Sequence, residues 1–439
     1  MQDVDTLFRE ALGKKSAAEV WAHLAPLRVR LTEREVALAW MTLAQASPRG
    51  PRMPEDARTV LAAHGSDEEI VVATLTALVR RADAAGLDAP IDGAAELKDG
   101  VRLGRALLGG TPRHRAALSA ALGNALARLG DGEASIALLG AAVQHDPYGP
   151  WLKDVVLAHK RARRFRAALV PARNAVKRWP SEPGPKIELA LAALGAGEPT
   201  EAAEALRGLG LSVQHEEGAL PLVADLPPLA VRVPVRPAAH GLFGESGAGF
   251  ETLWVQPLSP VHGVVRSATV GEAITDFGDV VLFDVARLGM VRRPDGEGSA
   301  PLVSFLLVLR AGDERRLPFL ALEQSAGQVE AMLGGLPEGC EPIMFGTRIE
   351  RVCPRCLAGE TLVKHEHLPA EEQRFVLGKL IVPAAQPLDA VADALARQKG
   401  PGVLFAIPAL HEALGRTAEA GKHHKSWGAI SRGLGARVA

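Results

Sequence analysis

The segment Ala116–Pro147, AALSAALGNALARLGDGEASIALLGAAVQHDP, constrains this chain most. Apolar residues recur at three- and four-residue intervals on both sides of Gly130, so the segment reads as two helices joined by a tight turn. Leu122 beside Gly123, and Leu139 near Ala142, set large residues against small ones, which lets two helices approach closely. Pro147 stops the second helix. Pro180 follows 33 residues later. The stretch between the two prolines keeps Leu152, Val155, Ala168 and Ala175, while Pro171 is expected to kink or shorten its second helix. A third unit lies around Lys186–Leu209, its helices marked by Leu189–Leu194 and Ala202–Leu206.

These units resemble tetratricopeptide repeats, helix–turn–helix units of about 34 residues that stack into a solenoid and hold partner segments in a groove. The resemblance covers residues 116–212. It implies that the first helix of each unit lines the groove, which by register brings Asn124, Arg128, Lys153, Lys160 and Arg161 onto that surface. The middle unit is strongly basic: Lys153, Lys160, Arg161, Arg163, Arg164, Arg166, Arg173, Lys177 and Arg178 lie between Pro150 and Pro180, opposed within that stretch by Asp154 alone. Such a groove suits an acidic peptide, a C-terminal carboxylate or a phosphorylated segment. The alternative is a solvated outer face balanced by the acidic N-terminal helices. Asn124 fits the carboxylate-clamping type of groove, whereas Ala120 stands where that type carries lysine.

Residues 1–115 also read as helices, with Thr32/Glu35 and Ser66/Glu69 as capping boxes. They form either divergent repeats or another helical array. Residues 213–249, rich in Pro and Gly, read as a linker or extended structure. Residues 250–439 read as an α+β domain. Its strands are expected at Thr252–Gln256, Gly263–Arg266, Val280–Asp284, Leu302–Leu309, Thr347–Val352 and Gly402–Ile407. Its helices are expected at Ser325–Leu333, Leu388–Gln398 and Ala409–Ala418. The fold class is therefore multidomain: an all-α, solenoid-like N-terminal part, then mixed α+β.

Cys353-Pro354-Arg355-Cys356, followed by His365 and His367, has the donors of a tetrahedral zinc site. A C-x-x-C knuckle turns both thiolates toward one point, and histidines two apart on a strand share a face. Four such ligands make a closed structural site, with Cys340 as a substitute for one histidine. A metal-free turn and a redox pair are the other readings; the redox pair lacks the strand-to-helix setting that lowers a thiol pKa. The C-terminal Lys422–Trp427 segment reads as a frayed, solvated end, with a small basic contact site as the alternative. Asp276 and Asp279 read as turn carboxylates in water.

Net charge is −1 and aromatics make up 4% of the chain, so bulk electrostatic binding to nucleic acid or membrane is not expected. No apolar run reaches the length of a membrane span, no secretory leader opens the chain, and its 3 cysteines suggest a reducing, cytoplasmic setting. Phosphate-loop, nucleophile-elbow and H-E-x-x-H patterns are absent. The expected function is an adaptor or scaffold that binds a protein or peptide through the partly basic groove. An enzyme with its active site in the α+β part, and a nucleic-acid-binding regulator, are the alternatives.

Overall fold

The computed structural model describes residues 17–47, 50, 52–86, 90–236, 249–293, 296–352, 371–398, 400 and 402–435. Its N-terminal half is helical. Helix α1 (Ala17–Leu24) passes through the 3-10 turn Ala25–Arg30 to α2 (Arg34–Ala46), α3 (Met53–His64), α4 (Glu68–Ala85) and α5 (Ala94–Leu108). Trp21, Trp40, Met41, Ile70, Leu75, Leu78 and Leu97 form one core here, continuous with Leu118 and Leu122 of the following helix. The caps sit one residue later than the sequence spacing implies. Asp67, not Ser66, caps α4 by accepting the Ile70 N–H at 3.2 Å, and Glu33 precedes α2 with no side-chain cap.

Three helix pairs follow: α6 (Arg115–Arg128) with α7 (Gly132–His145), α8 (Trp151–Arg161) with α9 (Phe165–Arg178), and α10 (Pro183–Ala196) with α11 (Pro199–Arg207). Their turns share one construction. Gly130, Arg163 and Gly197 have φ of 87°, 54° and 79°. In each turn two N–H groups bond back to the first helix: Gly130 and Asp131 to Ala127 and Leu126, Arg163 and Arg164 to Lys160 and His159, Gly197 and Glu198 to Leu194 and Ala193. This is the Schellman closure, which satisfies carbonyls left open at a helix end. Each helix packs on the next, and the alternate helices α2, α4, α6, α8 and α10 also touch in series. Gly123 makes the close approach inside the first pair, since a Cβ there would lie 2.7 Å from Leu139 Cγ. Pro171 does not shorten its helix: α9 runs through it over 14 residues.

Beyond the helices lie two sheets. Strands β1 (Leu229–Arg236), β2 (Phe250–Ser259), β3 (His262–Val265), β5 (Val280–Arg292) and β6 (Ser299–Arg310) follow one another by antiparallel pairing. The meander then closes on itself, with β6 parallel to β1. An odd number of alternating strands can close only through a parallel pair. The two-residue β4 (Glu272–Ala273) hangs on the end of β1. Val231, Val233, Leu253, Val255, Val265, Val281, Phe283, Val303 and Phe305 fill the barrel, as side chains do in small barrels. The stretch read as a linker or extended structure therefore contains the barrel's first strand, which bears out the second of those readings.

The second sheet is antiparallel, in the order β10-β7-β9-β8, built from β7 (Arg315–Glu323), β8 (Glu341–Val352), β9 (Glu371–Val382) and β10 (Val403–Ala406). One face packs on α12 (Gln328–Leu333), α13 (Leu388–Gln398) and α14 (Pro408–Ala413). The other packs on α15 (Thr417–Gly435) through Ile430, Trp427 and Leu434. The segment read as a frayed tail is thus a docked helix. No helix of the described residues is long and apolar enough to cross a membrane.

Candidate partner-binding groove

Alternate helices α4, α6 and α8 line a cavity of about 490 Å³. Its apolar wall comes from Val72, Val79, Ala117, Ala121, Trp151 and Leu157, and its polar wall from Arg80, Asp83, Asn124, Lys153, Asp154 and Arg161. Asn124, Lys153 and Arg161 meet there. Arg128 and Lys160 lie instead at a second, smaller pocket of about 210 Å³ where the helices meet the barrel, and Arg161 borders both.

The cations are matched by carboxylates that lie far away in sequence. Arg161 is paired through Nη2 with Asp83 of α4, and its side chain is only 6% exposed. The Nη2 of Arg128 donates to the carbonyls of Ala82 and Gly86 at 3.1 and 3.2 Å, at the negative C-terminal end of α4. Lys153 is exposed, 2.5 Å from Glu182 and 4.5 Å from the centre of the Trp179 ring. Lys160 is 3% exposed and donates to Glu188 at 2.7 Å and to Asp284 of the barrel at 3.2 Å. Burial pulls its pKa down, but the two carboxylates outweigh burial, so the ammonium titrates above the ordinary lysine value. Further along, Arg164 pairs with Glu133, and Arg173 with Glu201 at 2.6 Å. The basic run is therefore largely a ladder of ion pairs between successive helix pairs. The sequence reading that Asp154 alone opposes it holds only for neighbours along the chain.

Three unmet demands remain at the polar wall. Burial pushes the Asp154 carboxyl above the usual carboxylate range, against the pull of its hydrogen bond from Asn124 and of Arg161 and Arg80. The Asn124 Oδ1 is buried without a hydrogen-bond partner. So are Nε and Nη1 of Arg161. These three atoms are enclosed by protein behind the polar wall, which adjoins an apolar wall carrying Trp151. Arg80 and Asp83 were not visible as site residues in the sequence, because the helices before residue 116 gave no register to extend.

The other sequence candidates fall as follows. Cys353, Cys356, His365 and His367 lie outside the described residues. Their flanks do meet, with Val352 paired to Glu371. Cys340 is a partly buried free thiol packed against the core of the second sheet, and burial raises its pKa. No cluster of metal-binding side chains occurs among the described residues. Asp276 and Asp279 are not solvated turn residues. Asp279 is 4% exposed and accepts from Thr275, from the Asp276 and Gly312 N–H groups and from Arg316, while Asp276 accepts from Lys379. Together they fasten the barrel to the second sheet. Ser259 and His262, 2.6 Å apart, are both fully buried. No protein-family model matches the chain, and no curated protein matches it.

Proposed function

We propose that this protein is an adaptor of the tetratricopeptide-solenoid type that holds an extended segment of a partner protein in the α4/α6/α8 groove. One observation carries this reading: helices α4, α6 and α8 enclose a cavity of about 490 Å³ in which an apolar wall carrying Trp151 and Leu157 is joined to a polar wall of Arg80, Asn124, Lys153 and Arg161. A cleft lined by apolar side chains with a few convergent polar groups is the usual form of a binding site. A peptide can offer backbone carbonyls and acidic carboxylates to the polar wall at Arg80, Asn124 and Lys153. Its apolar side chain lies against Trp151 and Leu157. Lys153, exposed at the rim, favours an acidic segment.

The test is selection of binding peptides from a random displayed library on the full chain, followed by titration of the enriched sequences. Saturable binding is expected, weakened at least tenfold in Asn124→Leu and Lys153→Glu, in line with about 1.4 kcal/mol or more per lost polar contact. Absence of enriched peptides, or equal affinity in both variants, would overturn the groove.

The zinc knuckle belongs to the same proposal as a structural clip on the β8–β9 hairpin, held by Cys353, Cys356, His365 and His367. Purified protein should then carry about one zinc per chain. Elemental analysis that finds no metal removes the clip and leaves the groove untouched.

A further inference from the structure

Strand β8 lies at the outer edge of the second sheet, beside β9, and among the described residues no strand pairs with its other side. An open edge is a row of N–H and C=O groups ready to pair with another strand. The two halves of β8 differ. In the first, Ile343 and Phe345 pack with Ala268, Phe277 and Ile381, where the barrel meets the sheet. A bulge between Met344 and Gly346 then shifts the register, and the regular ladder runs from Gly346 to Val352. This leaves one short regular edge, GTRIERV, with Ile349 at its centre and 56% exposed.

The charges on this edge are arranged about Ile349. Arg348 and Glu350 flank it, with Thr347 and Arg351 next. On the inner side β9 sets Phe375 opposite Arg348 and Gln373 opposite Glu350, while Arg351 faces Glu372. β9 therefore places no opposite charge directly across from Arg348 or Glu350. Arg348 has an interaction within its own chain, so what matters is the pattern of charge along the edge and not an unpaired group.

We propose that β8 is a self-association edge: two copies of this chain join antiparallel through Gly346–Val352, with the two-fold axis at Ile349. Closely and widely spaced pairs alternate in an antiparallel ladder, so identical strands can meet only with one residue facing its own copy. An axis at Arg348, Glu350 or Arg351 sets like charges directly opposite, which is destabilising. An axis at Thr347 carries Ile349 onto the bulged Phe345. The axis at Ile349 sets Ile349 on its copy and Arg348 on Glu350 twice. It also uses the whole regular edge, since Gly346 then faces Val352. Charges that keep an arbitrary strand off the edge thus admit a second copy, in one register. The product is an isologous dimer with one sheet continuous across both copies. No residue of this edge lines the α4/α6/α8 groove, so the dimer stands apart from the function proposed above.

The experiment is sedimentation velocity of the full chain over a range of concentrations, with hydrogen exchange at a low and a high concentration. A reversible monomer–dimer equilibrium is expected, with amides of residues 346–352 exchanging more slowly as the dimer fills. Glu350→Arg sets like charges opposite each other twice and should weaken the dimer about tenfold or more. Arg348→Glu together with Glu350→Arg exchanges the signs, keeps each pair opposite, and should restore it. Ile349→Lys should weaken it by bringing two ammonium groups to the axis. These side chains are exposed or half-buried, so circular dichroism of the variants should match that of the unaltered chain. A chain that stays monomeric up to its highest soluble concentration overturns the proposal. So does a dimer untouched by Glu350→Arg, or a double variant as weak as the single one. If a variant loses its fold, the unaltered chain still decides: a dimer whose newly protected amides lie outside β8 is not this one.

Discussion

Lys160 illustrates how a residue can be read correctly for charge and wrongly for setting. Its position on the first helix of a repeat places it inward, yet the space it enters is closed by the barrel's Asp284. A reversal to Glu would set a third carboxylate beside Glu188 and Asp284, so it would test folding and not partner binding. Removing one member of a buried ion pair costs roughly 3–5 kcal/mol, because the other is left charged and unmatched. Lys160→Met should therefore destabilise the chain by that order. Lys160→Met with Asp284→Leu should recover most of the loss, since Glu188 is partly exposed and keeps water as a partner. Denaturant midpoints of the two variants decide this. If the double variant is as unstable as the single one, the lysine matters for packing and not for charge.

His262 gives a second residue-scale prediction. Burial lowers its pKa to about 4, from an unfolded value near 6.5. Above pH 6.5 both states hold it neutral and its contribution is complete. As pH falls toward 4 the unfolded chain takes up the proton first, so stability drops, by roughly 3 kcal/mol at full development. His262→Gln should flatten the urea-midpoint curve between pH 6.5 and 4. A variant with the wild-type slope would show that other groups govern acid lability.

At the scale of elements, what was legible followed from how plainly each segment advertised its period. Thr252–Gln256, Val280–Asp284 and Leu302–Leu309 are runs of β-branched and apolar residues, and each lies within an observed strand. Strand β1 was hidden by Pro227, Pro228 and Pro234, although Pro234 sits at the last pair of the β1–β2 ladder, where the missing N–H costs little. Strand β7 carries Pro318 and paired arginines, and β9 opens on Glu-Glu-Gln-Arg, so neither shows the expected apolar run. The last helix was masked by the run Lys422–Lys425, although Trp427, Ile430 and Leu434 meet the sheet. Of the groove, the first-helix register found Asn124, Lys153 and Arg161; the carboxylates that neutralise the basic run come from other turns and from the barrel, which no local pattern reveals. Pro171 is the exception in the helices. It lies inside α9, followed and preceded by helical turns, and lacks the N–H that would complete the ladder. Proline inside a helix costs up to about 3 kcal/mol. Pro171→Ala should therefore raise the melting temperature, with a gain of about 1–3 kcal/mol in denaturant unfolding. No gain would mean that the ring's own packing offsets the lost bond.

At the scale of the whole molecule, the helices and the barrel share one interior. Phe165, Leu189, Leu191, Leu194 and Leu206 pack in the same core as Val261, Leu282 and Leu306. A domain boundary drawn from composition at residue 212 cuts through that core. Each large apolar side chain returned to water costs about 1.5–3 kcal/mol, and a domain's whole margin is only about 5–15 kcal/mol. Isolated residues 1–212 would also lose Asp284, leaving Lys160 with Glu188 alone. Their uncovered face carries Leu189, Leu191 and Leu206 beside small alanines, an apolar surface of the kind that pairs with another copy. Fragment 1–212 is therefore expected to keep helical circular dichroism, to melt well below the full chain, and to self-associate in sedimentation. The intact chain should lose its helical and barrel signals in one transition, because neither part can open without exposing the shared core. A fragment that stays monomeric and melts at the temperature of the full chain would refute this coupling and would make the helical half an independent module.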